Sequence, residues 1–314
     1  MQKILLNVVR GGPATVLYTA IVLSVALLGF EMINFKQLQS PHASIVLNLA
    51  DGSRNLDLEQ IVSKVLPEKT VLRPRWQGIP YRLVEANIVN LEQLKAYSAK
   101  FGQTVTADDL KIFQKDYNGP IEYSRQGSLL IDNLLWAIGF TNKSPVLEYE
   151  IEKYGNTVKN LAGYYFSFAN LGANSTLPNA GYNYLELTPL TEEQKKVVLT
   201  VAGNSAVPSC GNSLLLPDCS CSFAMVGLIN MMTQQGFNEQ EIYRAMKAVY
   251  PYRFPGIYVQ YATLYQLAKQ QEWEKVDPQE LVSFERSSSR GVHKMRRELQ
   301  AILGDREITK VESH

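Results

Sequence analysis

The chain has 314 residues, of which 46% are hydrophobic and 19% charged, a composition typical of globular rather than disordered proteins. Its formal net charge of +1 gives no excess of either sign that would favour a nucleic acid or an acidic protein as partner. The sequence contains no P-loop, dinucleotide-binding, zinc-protease or nucleophile-elbow motif, and its three histidines are few for acid–base catalysis near neutral pH. These features favour a protein that is not an enzyme.

An uncharged, mostly apolar stretch lies near the N-terminus, at residues 12–30. Its length is close to the roughly 20 residues that cross a bilayer as a helix. Positive charges precede it at Lys3 and Arg10, which favours a cytoplasmic N-terminus, and a cleaved signal peptide is the alternative. We predict a cytoplasmic segment at 1–12, a transmembrane signal anchor at 13–30 and a linker at 31–44. The protein would then be a single-pass protein of the cell membrane with its body outside the cytoplasm.

Helical patterns dominate the chain after this segment. Helix caps are predicted at Asn90, Ser144, Thr191 and Asn238, and capping-box pairs at Thr106 with Asp109 and at Thr191 with Gln194. Residues 73–88, with two prolines and a glycine, predict a loop or a short strand, and residues 160–187 predict an irregular loop. The predicted fold is mostly α with long irregular loops: a helical extracytoplasmic domain at 45–284, a hinge at 284–291, and a C-terminal helix and tail within 285–314. Helices are predicted at 55–66, 90–102, 106–117, 127–140, 144–155, 191–203, 219–235, 239–249, 256–271, 277–284 and 292–304.

All three cysteines, Cys210, Cys219 and Cys221, lie within twelve residues. The last two fall at the predicted start of a helix, where free amides and the helix dipole stabilise a thiolate. The eight residues between Cys210 and Cys219 are enough for a loop to bring the sulfurs together. Met225 lies one helical turn after Cys221, and Asp218 is expected to cap the helix or to support the site from outside the ligands.

A cluster of three thiolates suits a soft metal ion. Sulfur ligands favour Cu(I), and Zn²⁺ accepts three thiolates with a fourth donor. We therefore predict a metal site with Cys210, Cys219 and Cys221 as ligands and Met225 as an auxiliary one, used for metal binding, storage or delivery at the cell envelope. One alternative is an envelope or surface-assembly protein in which a disulfide fixes the 208–221 loop. A third is a thiol redox protein, although no C-x-x-C motif is present. The oligomeric state is left open.

Three segments, 129–148, 210–236 and 241–256, resemble a group of uncharacterised prokaryotic membrane-anchored proteins. The motif of that group has a Cys-Cys pair, Asn-Ser, Pro-Asp-Cys, a His two residues later and a Met downstream. Here Ser209 stands in place of the first Cys, and Cys221 in place of the His. Because Cys and His replace each other as metal ligands, the resemblance implies a metal site and no particular reaction. The matching positions are Cys210, Asn212, Pro217, Asp218, Cys219 and Met225.

Overall fold

The computed structural model describes residues 46–48, 55–155 and 181–303. This part of the chain is mostly helical, which confirms the predicted fold class at that level. Every helix in it is too short or too polar to cross a membrane. The predicted cytoplasmic segment, anchor and linker at 1–44, much of the predicted irregular loop and the end of the C-terminal tail lie outside the described residues.

The described residues form helices connected by short loops, with two small antiparallel sheets. Strand β1 (Val46–Asn48) pairs with β2 (Asn55–Asp57), and β3 (Lys69–Arg75) pairs with β4 (Pro120–Ser124). Two 3₁₀ helices are present, Asp109–Phe113 and Trp273–Lys275. The α-helices are α1 (Leu58–Val65), α2 (Ile79–Glu85), α3 (Leu91–Lys100), α4 (Ser128–Thr141), α5 (Pro145–Tyr154), α6 (Glu192–Asn204), α7 (Ser220–Gln234), α8 (Glu239–Arg253), α9 (Pro255–Lys269), α10 (Pro278–Val282), α11 (Phe284–Ser287) and α12 (Ser289–Leu303).

Predicted caps begin four of these helices. Asn90, Ser144, Thr191 and Asn238 each accept a hydrogen bond from a first-turn amide, of α3, α5, α6 and α8 respectively. Each oxygen satisfies a backbone donor that has no partner within its helix. The cap prediction is confirmed at these positions because the interaction is local in sequence.

Two local predictions are wrong. The short strand predicted within 73–88 is present as the end of β3, at Arg75, but the predicted loop is mostly helix: α2 begins after Gly78, which has a φ of 66°. Pro80 lies in the first turn of α2, where its missing N–H costs nothing, so it starts the helix instead of preventing it. Residues 106–117 form only a five-residue 3₁₀ helix, although Thr106 and Asp109 do form the predicted reciprocal hydrogen bonds.

The segment expected to be a hinge, 284–291, is helical and packed. It contains α11 and the start of α12. Helix α12 buries Val292, Met295 and Leu299, and it contacts α9. Its first residue, Ser289, donates its backbone N–H to the Cys210 carbonyl at 2.9 Å. The C-terminal helix therefore supports the cysteine loop.

Helices α4 and α7 form the centre of the core. Every residue of α4 is buried, and α7 is buried from Ser222 to Thr233. Their backbones touch at two glycines: a Cβ atom at Gly139 would overlap the Phe223 carbonyl, and one at Gly227 would overlap the Leu135 carbonyl. This close approach fixes the position of α7, whose N-terminus carries the cysteines.

Candidate metal centre

Cys210 lies in the loop between α6 and α7, and backbone hydrogen bonds hold this loop in place. The Cys210 amide donates to the Val207 carbonyl at 3.0 Å, and the Leu214 amide donates to the Ser205 carbonyl at 2.9 Å. Together with the bond from Ser289 described above, these contacts fix the backbone on both sides of Cys210. The loop therefore returns Cys210 to the start of α7, as its length predicts.

Cys219 is the N-cap residue of α7. Its Sγ accepts a hydrogen bond from the Ser222 amide at 3.4 Å, and its own amide donates to Ser222 Oγ at 3.1 Å. The expectation that Asp218 caps this helix is therefore wrong for the N-cap position itself. A thiol replaces the usual hydroxyl or carboxylate, and the cap fixes the direction of the Cys219 side chain.

Two sulfur atoms and a carboxylate converge at this point. Cys210 Sγ lies 2.8 Å from Cys219 Sγ. An Asp218 carboxylate oxygen and these two sulfurs all lie within 4.8 Å of one another. Both cysteines are buried, with 5% and 8% of their surface exposed. Ser209 Oγ is 3.6 Å from Cys210 Sγ and 3.7 Å from Cys219 Sγ, so position 209 faces the same point.

The Asp218 carboxylate is only partly satisfied. Its Oδ2 accepts a hydrogen bond from Asn212 Nδ2 at 3.1 Å. Its Oδ1 is buried and has no hydrogen-bond partner among the described residues. A buried carboxylate oxygen without a partner loses its hydration and gains nothing in exchange, which is costly. This oxygen belongs to the carboxylate that groups with the two sulfurs.

The separation of the two sulfurs suits either of two outcomes. All three cysteines are free thiols in this structure. A disulfide bond would bring the sulfurs to about 2.05 Å. Two thiolates on one tetrahedral zinc ion, with Zn–S bonds of about 2.3 Å, lie about 3.7 Å apart. The observed 2.8 Å lies between these values, so either product requires only a small side-chain adjustment.

Cys221 and Met225 face a neighbouring region. Arg253 Nε donates to Cys221 Sγ at 3.1 Å, and the same guanidinium lies 3.3 Å from Ser220 Oγ and 3.7 Å from Asp132 Oδ2. Cys221, Met225 and Arg253 line a cavity of about 10 Å³, which has room for about one water molecule. Cys221 is therefore outside the group of three closest donors, and Met225 lies on the cavity side.

The environment favours the protonated form of Cys219 and Cys221. The hydrogen bond with Cys210 and burial raise the pKa of Cys219 to about 12, against the lowering effects of Cys221 and Ser222. The hydrogen bond with Cys219 and burial raise the pKa of Cys221 well above its usual range, although Arg253 lowers it. The predicted stabilisation of thiolates by the helix terminus is outweighed. A metal ion would have to displace these protons on binding.

Comparisons of the chain with protein-family models, with curated proteins and with solved structures give no match. The resemblance to an uncharacterised membrane-anchored group stays a prediction. The function therefore has to be inferred from the chemistry of the site itself.

Sequence reasoning missed Arg253 and Asp132, which come from α8 and α4. No pattern near Arg253 marks it as a neighbour of the cysteines, because the contact depends on how α7 and α8 pack. Asp132 did carry a signal, since a carboxylate within an otherwise apolar, buried helix requires a partner. Its partners are Tyr123, whose hydroxyl donates to Asp132 Oδ1 at 2.8 Å, and Arg253.

Proposed function

We propose that the chain binds a thiophilic metal ion, Zn(II) or Cu(I), with Cys210, Cys219 and Asp218 as its closest donors. Thiolate and carboxylate ligands are both common around zinc, and two thiolates suit Cu(I). The observation that carries the proposal is the buried, unpartnered Asp218 Oδ1 beside two buried sulfurs. A metal ion would satisfy this oxygen and both sulfurs at once.

The second candidate is a disulfide between Cys210 and Cys219, favoured by the 2.8 Å separation of their sulfurs. It would close a loop of about ten residues, worth about 3 kcal/mol in the chain-entropy treatment. The same pair could cycle between dithiol and disulfide, as a redox protein requires. A disulfide would leave Asp218 Oδ1 without a partner, and for this reason we favour the metal.

The proposed setting is the cell envelope. The apolar stretch at 12–30 supports attachment to the membrane by a single span, with the described residues outside the cytoplasm. Because the sequence carries none of the catalytic motifs considered above, we assign the site to metal storage or to delivery of the metal to another envelope protein. Cys221 and Met225 add further sulfur atoms beside the three donors, and we assign them a supporting position.

Replacing Asp218 with asparagine tests the donor set. The variant keeps an oxygen near Asn212 but loses the negative charge and the strong oxygen ligand, so we expect Zn²⁺ affinity to fall by about 10- to 100-fold. Chelator competition on the anaerobically purified full chain measures this. Asp116→Asn, at an exposed carboxylate away from the site, is the control and should leave the affinity unchanged. Equal affinity in the Asp218 variant would remove Asp218 from the donor set.

Replacing Ser209 with cysteine should strengthen metal binding. The Ser209 hydroxyl lies within 3.7 Å of both sulfurs, so a thiol at this position adds a third sulfur ligand. We expect at least about a tenfold gain in Zn²⁺ affinity, with a further thiolate-to-metal absorption band when Co²⁺ is used as the probe. Ser209→Ala serves as the control and should bind as the unmodified chain does. A Ser209→Cys variant with unchanged affinity would show that position 209 does not face the bound ion.

A further inference from the structure

A loaded centre at this position carries a net charge. The donors Cys210, Cys219 and Asp218 contribute three negative charges when they all bind the ion. A divalent ion leaves a charge of −1, whereas a monovalent ion leaves −2. Because both sulfurs are buried, any residual charge is costly unless an opposite charge lies nearby.

Arg253 is linked to this cluster through contacts with the first turn of α7. Its Nε donates to Cys221 Sγ at 3.1 Å, and the same guanidinium lies 3.3 Å from Ser220 Oγ, so it contacts the two residues that directly follow Cys219 in α7. Arg253 is the last residue of α8, and its side chain is 32% exposed, so solvent screens it only in part. The guanidinium therefore reaches the cluster through one intervening sulfur.

Arg253 has a second charged partner, the carboxylate of Asp132. Asp132 Oδ2 lies at 3.7 Å, farther from the guanidinium than Cys221 Sγ. Tyr123 donates a hydrogen bond to the other oxygen of Asp132, so this carboxylate is shared between two partners. The shorter of these two contacts of Arg253 is the one to the sulfur of Cys221.

We infer that Arg253 is the counter-charge of the loaded centre, and that Arg253 and the Asp218 carboxylate together make this a site for a divalent ion such as Zn(II). The inference rests on the proposed function. The three donors, the divalent ion and Arg253 sum to zero charge, whereas Cu(I) would leave −1. The Asp218 carboxylate also favours the divalent ion, because oxygen donors suit Zn(II) and contribute little to the binding of Cu(I). Arg253 is a positioning residue, acting through Cys221.

The test compares three arginine variants of the full chain, purified anaerobically, by chelator competition with Zn²⁺. Arg253→Met should weaken Zn²⁺ binding by about 10- to 100-fold, the range typical of residues just outside the ligands. Arg253→Lys, which keeps the charge, should recover most of this loss. Arg244→Met, at an exposed arginine of the same helix, should bind as the unmodified chain does. If Arg253→Met does not fold, as judged by circular dichroism, Arg253→Gln takes its place.

A second arm uses Cu(I) with Asp218→Asn. The inference expects Zn²⁺ affinity to fall and Cu(I) affinity to change by less than about threefold, because Cu(I) depends on the two sulfurs. Equal losses for both ions would overturn the preference for a divalent ion. Unchanged Zn²⁺ binding in Arg253→Met, or an equal loss in Arg253→Lys, would overturn the counter-charge. If the unmodified chain binds neither ion, the proposed function itself is wrong.

Discussion

Replacing Cys219 with serine is expected to abolish tight metal binding while leaving the fold intact. The serine hydroxyl can accept the Ser222 amide hydrogen bond that Cys219 Sγ now accepts, so α7 keeps its N-cap. One of the two buried sulfur ligands is lost, however. We expect Zn²⁺ affinity to fall by more than about 100-fold, which is the upper limit for residues outside the ligands. Chelator competition measures the affinity, and thermal unfolding of the metal-free chain checks the fold.

The matched control makes the same change two residues later. Cys221→Ser removes the sulfur that Arg253 contacts and leaves all three closest donors in place. We expect it to lower Zn²⁺ affinity by less than about tenfold, because it acts from outside the ligands. Equal losses of Zn²⁺ affinity in the two variants would mean that Cys221 is a ligand in the same way as Cys219.

Replacing Gly227 with alanine is expected to destabilise the α4–α7 contact strongly. The new Cβ would overlap the Leu135 carbonyl and lie 3.0 Å from the Gly139 amide nitrogen, and both are backbone atoms that cannot rotate away. Such overpacking costs about 1–3 kcal/mol or more, whereas the better helix propensity of alanine returns about 1 kcal/mol. At the upper end of that range we expect a net loss of about 2 kcal/mol and a melting temperature lower by about 4–8 °C.

Gly256→Ala is the control for this substitution. Gly256 lies in the first turn of α9, and a Cβ there meets no atom within 4 Å. Alanine at this position should leave the melting temperature unchanged or raise it slightly. If thermal unfolding shows the same stability for both alanine variants, the backbones of α4 and α7 are not in the close contact described.

Helix ends were predictable wherever one side chain decides them. Thr191 and Gln194 form the predicted capping box, because the interaction needs only residues three apart. Residues 106–117 show the limit of this reasoning: the Thr106–Asp109 bonds form, yet only a 3₁₀ helix follows. Local bonds begin a turn, but tertiary packing determines how far it continues.

The candidate site was predictable in part. The spacing of Cys210 and Cys219 indicated that their sulfurs could meet, and they lie 2.8 Å apart. The spacing did not indicate that Cys221 would turn towards Arg253, because that contact depends on the packing of α7 against α8. The expected stabilisation of thiolates also failed. A helix N-terminus lowers a thiol pKa, but burial and neighbouring thiols, which sequence does not show, raise it more.

Elemental analysis of the full chain, purified anaerobically and supplied with Zn²⁺, tests the central claim most directly. Two buried sulfurs converge with a carboxylate of which one oxygen has no partner, which predicts one zinc ion per chain, retained through gel filtration and lost in Cys219→Ser. A chain that holds no stoichiometric metal, and in which thiol titration finds a single free cysteine, would contradict it. That result would favour a disulfide, with Cys210 and Cys219, whose sulfurs lie 2.8 Å apart, as the expected pair.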